Sequence, residues 1–405
     1  MRPSAGRRLA GGDDLALIIT TLGALLLLGL VGDLVSRALP LPRVTLLVLF
    51  GIVIGPPGLD LLPGEAGTWY PLISDLALLM VGFLLGGKLA RSTLAAVDRP
   101  VLTISAFEVL GVSLVVFAGL VVAGVRLEVA LLLAGIAPAS APAAVIGVTE
   151  QLHAQGRYTD TLLGVVALDD AWGLIVFSLL LASAQAIGGD GDALGALAHG
   201  GRELGGAVLV GLAVGVPAAY VTGRLQPGEP TQAEVLGVVM LAGGLALWLE
   251  ASFLLAAMLV GAVIVNLAAH HDRPFREIAN LEWPFMVLFF ILAGASLEVA
   301  QLAAVGWIGV LYVALRAGGL LAGAYLGGLR GGAEPRVRRW MGLAIMPQAG
   351  VALGMALVAG NAFPELRDTI LPLVIGSTVV FELIGPALTR LAIVRAGEAR
   401  DDDTA

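Results

Sequence analysis

The sequence predicts an all-α polytopic membrane protein of about thirteen transmembrane helices, built as an inverted repeat with two broken crossing helices. Three observations predict it. The chain is 58% hydrophobic and only 13% charged, with mean hydropathy +0.94, where a soluble domain carries about 25% charged residues. Apolar runs long enough to cross a hydrocarbon core of about 30 Å recur from end to end. Two of these runs are interrupted at their middle by proline and small residues.

The spans are expected at 15–36, 42–56, 70–87, 100–123, 128–150, 159–187, 201–223, 231–247, 250–268, 284–298, 301–328, 338–360 and 367–391. The second is short, and the eighth and ninth are divided at Leu249. The first run follows Arg2, Arg7 and Arg8 but is too long for a signal core and precedes no small-residue cleavage site, so it reads as a span. Fifty-five glycines suit helices packed closely in lipid. The absence of cysteine excludes disulfides and thiolate metal sites.

Loop charge orients this layout. Of 23 Lys and Arg, sixteen fall in the connections of one face, six on the other, and Arg316 lies within a span. Positively charged loops stay in the cytoplasm, which puts the N-terminus outside and the C-terminus inside. The polar residues 396–405 read as a disordered tail with no soluble regulatory domain after it.

Span five contains Pro138 and Pro142 among alanines, and span twelve contains Pro347, Gln348 and Gly350. Proline removes a backbone donor and blocks the carbonyl one turn back, and backbone groups freed at that depth must face protein or a cavity. The two spans are seven apart, so the second crosses in the opposite sense. The same shift pairs Glu108 in span four with Arg316 in span eleven, and Asp169/Asp170 in span six with Glu382 in span thirteen. Matched interruptions of this kind point to a transport site between inverted repeats.

Adjacent carboxylates at membrane depth, costing roughly 2.5–3.5 kcal/mol each on insertion scales, are a poor choice for structure alone. On a helix Asp169 and Asp170 diverge by about 100°, so they suit two roles, one toward an ion path and one toward a neighbouring helix. Na⁺ takes oxygen ligands. Asp170 is the expected carrier, binding Na⁺ (K⁺ and Li⁺ being the alternatives) or H⁺, with Ser140 and carbonyls freed near Pro138 and Pro142 completing the shell. Arg316 needs an acidic partner, expected to be Asp169, with Glu108 or Glu382 as alternatives. Asp75 in span three is also intramembrane but has no role that its neighbours define. His153, His270 and His271 fall in loops, as solvated residues or as pH sensors.

Four segments together resemble the monovalent cation:proton antiporter superfamily, in its bacterial KefB/NapA-like branch: Ala167–Gly173, Phe289–Glu298, Leu315–Ala324 and Met346–Gly354. The resemblance runs from about residue 15 to 395. It implies an NhaA-like fold and a homodimer in the inner membrane, with no cofactor, no nucleic acid and no enzymatic activity. It implies an interface formed by residues 15–98 and 231–298, a linker at 200–224, and an ion-carrying core of 99–188 and 301–393 that moves in an elevator-like step; residues 1–14 form an outer tail. It also assigns ion binding to Asp170 and the basic pair to Asp169 and Arg316. The chain departs from the branch twice: Ser140-Ala141 stands where many relatives have Thr-Asp, and Arg316 where electrogenic relatives often have lysine.

The reading is therefore a Na⁺/H⁺ antiporter working by competition at one buried aspartate, with K⁺/H⁺ exchange on the same fold as the alternative. An intramembrane aspartyl protease needs its two aspartates on facing helices, and these are adjacent. An organic-anion symporter needs polar residues in the broken helices, where this chain offers mostly alanine. Isolated charge pairs argue against a channel.

Overall fold

The structure, a computed structural model, describes residues 6–38, 43–56, 58–63, 66–87, 89–91, 98–188, 193–222, 231–268, 272–295, 306–348 and 350–399. Among them are fifteen α-helices, one 3₁₀ turn and no strand. In order these are α1 (Gly6–Ala38), α2 (Arg43–Ile54), α3 (Ala66–Gly87), α4 (Arg99–Val122), the short pair α5 (Leu127–Ile136) and α6 (Pro142–Gln151), and α7 (Arg157–Gly188). Then come α8 (Ala193–Thr222), α9 (Thr231–Trp248), α10 (Phe253–Leu267), α11 (Asp272–Ala295), α12 (Gly306–Gly331), a second short pair α13 (Pro335–Ala344) and α14 (Gly350–Ala362), and α15 (Arg367–Ala396).

Each expected span overlaps one helix or, at the two interruptions, one short pair. Seven helices (α1, α4, α7, α8, α11, α12 and α15) hold a stretch long and apolar enough to cross a membrane, so the protein is a multi-pass membrane protein. Most of the ends that differ from expectation do so because hydropathy does not register helical turns made of polar residues; α8, whose added turns at 193–200 are largely apolar, is the exception. The first helix begins at Gly6 rather than within a tail ending at residue 14, and α8 begins at Ala193 rather than 201. Helix α11 begins at Asp272, with Arg276 and Glu277 in its first turns and Pro284 in its interior, whereas the expected span began at Pro284. At the other end of the chain α15 continues to Ala396 and Glu398 is hydrogen-bonded, so the tail expected from 396 is ordered as far as residue 399. His270, His271, residues 296–305 and 400–405 lie outside the described residues.

At a rise of 1.5 Å per residue, a ten-residue helix spans about 15 Å, half of a bilayer core. Helices α5, α6 and α13 each have that length. Each pair therefore suits one crossing that is unwound at its centre.

The chain divides into two compact units: residues up to Ala77 with Leu281–Val299, and Leu78–Asn280 with Ala300–Ala405. In the first, α2 lies backbone to backbone on α11; a Cβ on Gly55 would stand 2.6 Å from the Ala295 Cα. There Arg43 pairs with Asp33 and stacks over Trp283, 4.6 Å from the ring centroid. In the second, α4 and α12 pack along their length through a glycine stripe, Gly319, Gly323 and Gly327, laid on Val112, Glu108 and Ile104. The Thr389 hydroxyl of α15 donates to the Ala344 carbonyl at the end of α13 (2.9 Å). The second unit contains both interrupted crossings and all the buried charge that the following sections concern.

Candidate functional site

The two interruptions are made by the prolines that the sequence marks. Helix α5 stops at Ile136, residues 137–141 leave the helical path, and Pro142 opens α6 at a position where the missing N–H costs nothing. Its predecessor Ala141 is pushed out of the helical region (φ −119°, ψ 85°). Helix α13 stops at Ala344, residues 345–348 are irregular, and Gly350 begins α14. The carbonyls freed at both breaks are buried among Ala137, Ala139 and Met346.

Arg316 of α12 satisfies those carbonyls. It is fully buried, and three of its N–H groups donate: Nε to Ala137 O (2.9 Å), Nη2 to Ala139 O (2.8 Å) and Nη1 to Met346 O (3.0 Å). One guanidinium thus bridges both unwound segments, placing positive charge where the negative ends of two half-helices point. Its other face lies over Phe381 of α15, 4.3 Å from the ring centroid, a cation–π contact strengthened by desolvation. Of the acids expected to partner it, Glu108 of α4 is one that acts on it electrostatically. The carbonyls expected near Pro138 as ligands for a cation are the ones that receive this arginine.

The acids arrive from three helices. Glu108 is completely buried, in hydrogen-bond contact with the Asp169 carboxyl and facing Arg316 and Asp170. The Asp169 carboxylate accepts from the Ser105 hydroxyl of α4 (2.9 Å). Asp170 is 2% exposed. Gly173, three residues on and therefore on the same face of α7, sits against the first break, its missing Cβ 3.5 Å from Pro138 and 3.9 Å from the Ala139 nitrogen. The second break repeats the contact: a Cβ on Gly385 of α15 would fall 2.7 Å from the Pro347 Cα, and Glu382 is three residues before it, buried at 4% exposure. Asp169 thus meets α4, while the neighbouring face of α7 meets the first break.

Several neutral polar atoms are buried in the same unit: Ser140 Oγ, both amide atoms of Gln348, Thr378 Oγ1 and the Tyr312 hydroxyl, with Tyr312 and Gln348 placed to hydrogen-bond each other. Tyr312 faces Gln348 and Arg316. Among the described residues no group of three or more His, Cys, Asp or Glu is placed to hold a metal ion.

A cleft of about 760 Å³ runs between α6 and α7. Glu150, His153 and Gln155 lie at its polar end, and Pro142, Val166 and Ala167 at its depth. The lining on α7 recurs at helical spacing, Thr159, Leu163, Val166 and Ala167, and the next residue on that stripe is Asp170. His153 is exposed and adopts a left-handed backbone (φ 45°). Asp75 belongs to the other compact unit.

Ser105, Tyr312 and Phe381 were not expected. The first two carried a signal: each lies one turn before an intramembrane charge, Glu108 and Arg316, on the same face. Phe381 carried none.

Comparison with known proteins adds the following. The family described as sodium/hydrogen exchanger, transmembrane, matches residues 23–393. Among solved structures, the sodium proton antiporter MjNhaP1 from Methanocaldococcus jannaschii at pH 8 is similar with a TM-score of 0.69, at 22% identity, over 94% of this chain and 96% of that one. An electron-microscopy structure of the same antiporter gives a TM-score of 0.67 at 21% identity, covering 94% of each chain. No curated protein matches.

Proposed function

The chain belongs to the sodium/hydrogen exchanger family, whose members are membrane transporters and not enzymes, and from that premise we propose that it exchanges Na⁺ for H⁺ by competition at Asp170. A carboxylate buried from water can be neutralised by a proton or by a cation, and one carboxylate cannot hold both. Exchange then follows without a separate coupling device, because the site crosses only when occupied.

The observation that carries this reading is the place of Asp170: a buried acid on the α7 face that meets the Pro138 break, one turn beyond the depth of the α6–α7 cleft. The cleft, whose α7 wall lies on the same helical stripe as Asp170, is the route that this reading assigns between water and the acid. Ser140, beside Pro138, offers a neutral oxygen. Asp169, held by Ser105, supplies a negative field that attracts a cation, while Arg316 holds both breaks together and balances their charge.

The proposal extends to the cycle. Residues 99–188 and 301–393 form an ion-carrying core that moves against residues 15–98 and 231–298, in a homodimer of the inner membrane with the N-terminus outside and the C-terminus in the cytoplasm. The loop-charge bias supports the orientation and the paired interruptions support the location of the core; the division into core and interface, the homodimer and the moving core are what the family resemblance implies.

The test is transport. Everted vesicles carrying the protein are expected to dissipate a pH gradient on addition of Na⁺, and parallel additions of Li⁺ and K⁺ read the selectivity. Asp170→Asn is expected to abolish the response at equal expression. Dissipation that survives Asp170→Asn contradicts the assignment, and a response to K⁺ alone replaces the cation while leaving the mechanism.

A further inference from the structure

Glu398 lies just past the end of α15, in a stretch that reads as tail. Gly397 adopts the left-handed conformation (φ 80°) that ends the helix. Its N–H bonds the Val394 carbonyl (3.0 Å) and the Glu398 N–H bonds the Ile393 carbonyl (3.4 Å). These are the two bonds of a Schellman motif, and they fix the direction in which the Glu398 side chain leaves. Arg336 of α13 adds a bond from Nη1 to the Ala396 carbonyl (3.3 Å).

The Glu398 carboxylate then reaches the first turn of α7, 239 and 240 residues away in sequence. Oε1 accepts from the Tyr158 N–H (2.8 Å); Oε2 accepts from the Thr159 N–H (2.8 Å) and the Thr159 hydroxyl (2.9 Å). The first N–H groups of a helix have no partner within it, and a carboxylate there is also favoured by the helix dipole. Gly156 makes room: its φ of +145° is one that L side chains rarely adopt, and a Cβ there would collide with the Glu398 carboxylate. Tyr158, itself buried, donates its hydroxyl to the Trp340 carbonyl of α13 (3.2 Å).

The two helices joined here carry the buried acids, Asp169 and Asp170 on α7 and Glu382 on α15. Toward their middles the two helices meet the two breaks, Gly173 on Pro138 and Gly385 on Pro347, and Arg316 bridges both breaks. A second level of attachment, at the start of α7, fixes its register against α15. Glu398 supplies the second level directly, and Thr159, which it holds, is also a wall residue of the α6–α7 cleft.

We propose that Glu398 is a positioning residue for exchange: by capping α7 from the end of α15 it sets the register of the Asp170 helix and the shape of the cleft leading to it. The inference rests on the exchange reading above.

The test measures Na⁺ KM and maximal rate separately in proteoliposomes of the full chain and its variants. Glu398→Ala is expected to raise KM on the order of tenfold, the scale of losing charge-assisted hydrogen bonds, and to displace the pH profile, with the amount of folded protein unchanged. Gly156→Ala pushes on the same contact from the other side and is expected to reproduce the effect; the double variant should be no worse than the more affected single. A chain ending at Arg400 should behave as the full chain, and one ending at Gly397 as Glu398→Ala. A lower maximal rate with KM and pH profile unmoved in Glu398→Ala overturns the proposal, reducing Glu398 to a stabilising cap. So does a wild-type KM in the chain ending at Gly397. Absence of exchange in the wild-type chain is a different result and contradicts the exchange reading itself.

Discussion

The two interrupted crossings use one scaffold for different chemistry. At each, proline breaks a helix into halves, and a long helix lays a glycine on that proline: Gly173 on Pro138 and Gly385 on Pro347. At each, an acid stands one turn before the glycine, Asp170 in one case and Glu382 in the other. The surroundings differ. The first crossing has two adjacent aspartates, Ser140 and the cleft; the second has a single glutamate, Gln348 and Phe381 beneath the arginine. On the helices that accompany them, an acid on α4, Glu108, matches a base on α12, Arg316. The lesson is that a repeated backbone device need not repeat its charge. In the reading proposed above one copy binds the cation, while the arginine accompanying the other satisfies freed carbonyls of both.

The largest effect expected from breaking this division is at Arg316, where both crossings meet. Arg316→Leu strands three buried carbonyls, at about 1–3 kcal/mol each, and leaves Glu108 without that cation. We expect loss of the folded protein in detergent, measured by thermal unfolding. Arg316→Lys keeps the charge but cannot span three acceptors with a planar fork, so it should fold with reduced stability.

The two glycine contacts differ next. A methyl at Gly385 meets proline backbone at 2.7 Å, whereas one at Gly173 meets nothing nearer than a side-chain carbon at 3.5 Å, an ordinary contact. Gly385→Ala is expected to destabilise by about 1–3 kcal/mol and Gly173→Ala by far less, read as the difference in their thermal midpoints. Equal effects would mean the breaks are packed alike.

The acids should divide in the same way. Glu382→Gln is expected to lower the maximal exchange rate severalfold while retaining exchange, whereas Asp170→Asn retains none. A Glu382→Gln variant as dead as Asp170→Asn would make the second crossing an equal partner in ion binding.

A smaller and graded effect comes from pH. If H⁺ and Na⁺ compete for one carboxylate, lowering the proton concentration lowers the apparent KM for Na⁺, by about tenfold per pH unit while the site is mostly protonated, and not at all once it is ionised. Apparent KM should therefore fall as pH rises and then level off. A KM independent of pH, with only the maximal rate changing, would separate proton binding from the cation site.

Much of this was legible in the sequence because hydropathy and proline are local signals. The helices, the division at Leu249 and both breaks are set by residues that act within one turn. Helix ends were not legible where charged residues such as Arg276 and Glu277 continue a helix beyond its apolar stretch. The burial of Asp169, Asp170, Glu108, Arg316 and Glu382 follows from a charge lying inside an apolar run. What holds Arg316 was hidden, because its acceptors at Ala137, Ala139 and Met346 are backbone carbonyls, and alanine and methionine advertise none. Glu398 was hidden for a related reason: a lone acid in a polar terminal stretch looks solvated until Gly397 turns it toward a helix start more than two hundred residues away.

The most direct measurement leaves transport aside. Purified protein in weakly buffered solution, at a pH where the site is protonated, is given a pulse of NaCl, and released protons are counted with a pH-sensitive dye against a choline chloride control. Competition at Asp170 predicts a saturable Na⁺-dependent proton release from the wild-type protein and none from a folded Asp170→Asn variant. Proton release of wild-type size from that variant would contradict the account.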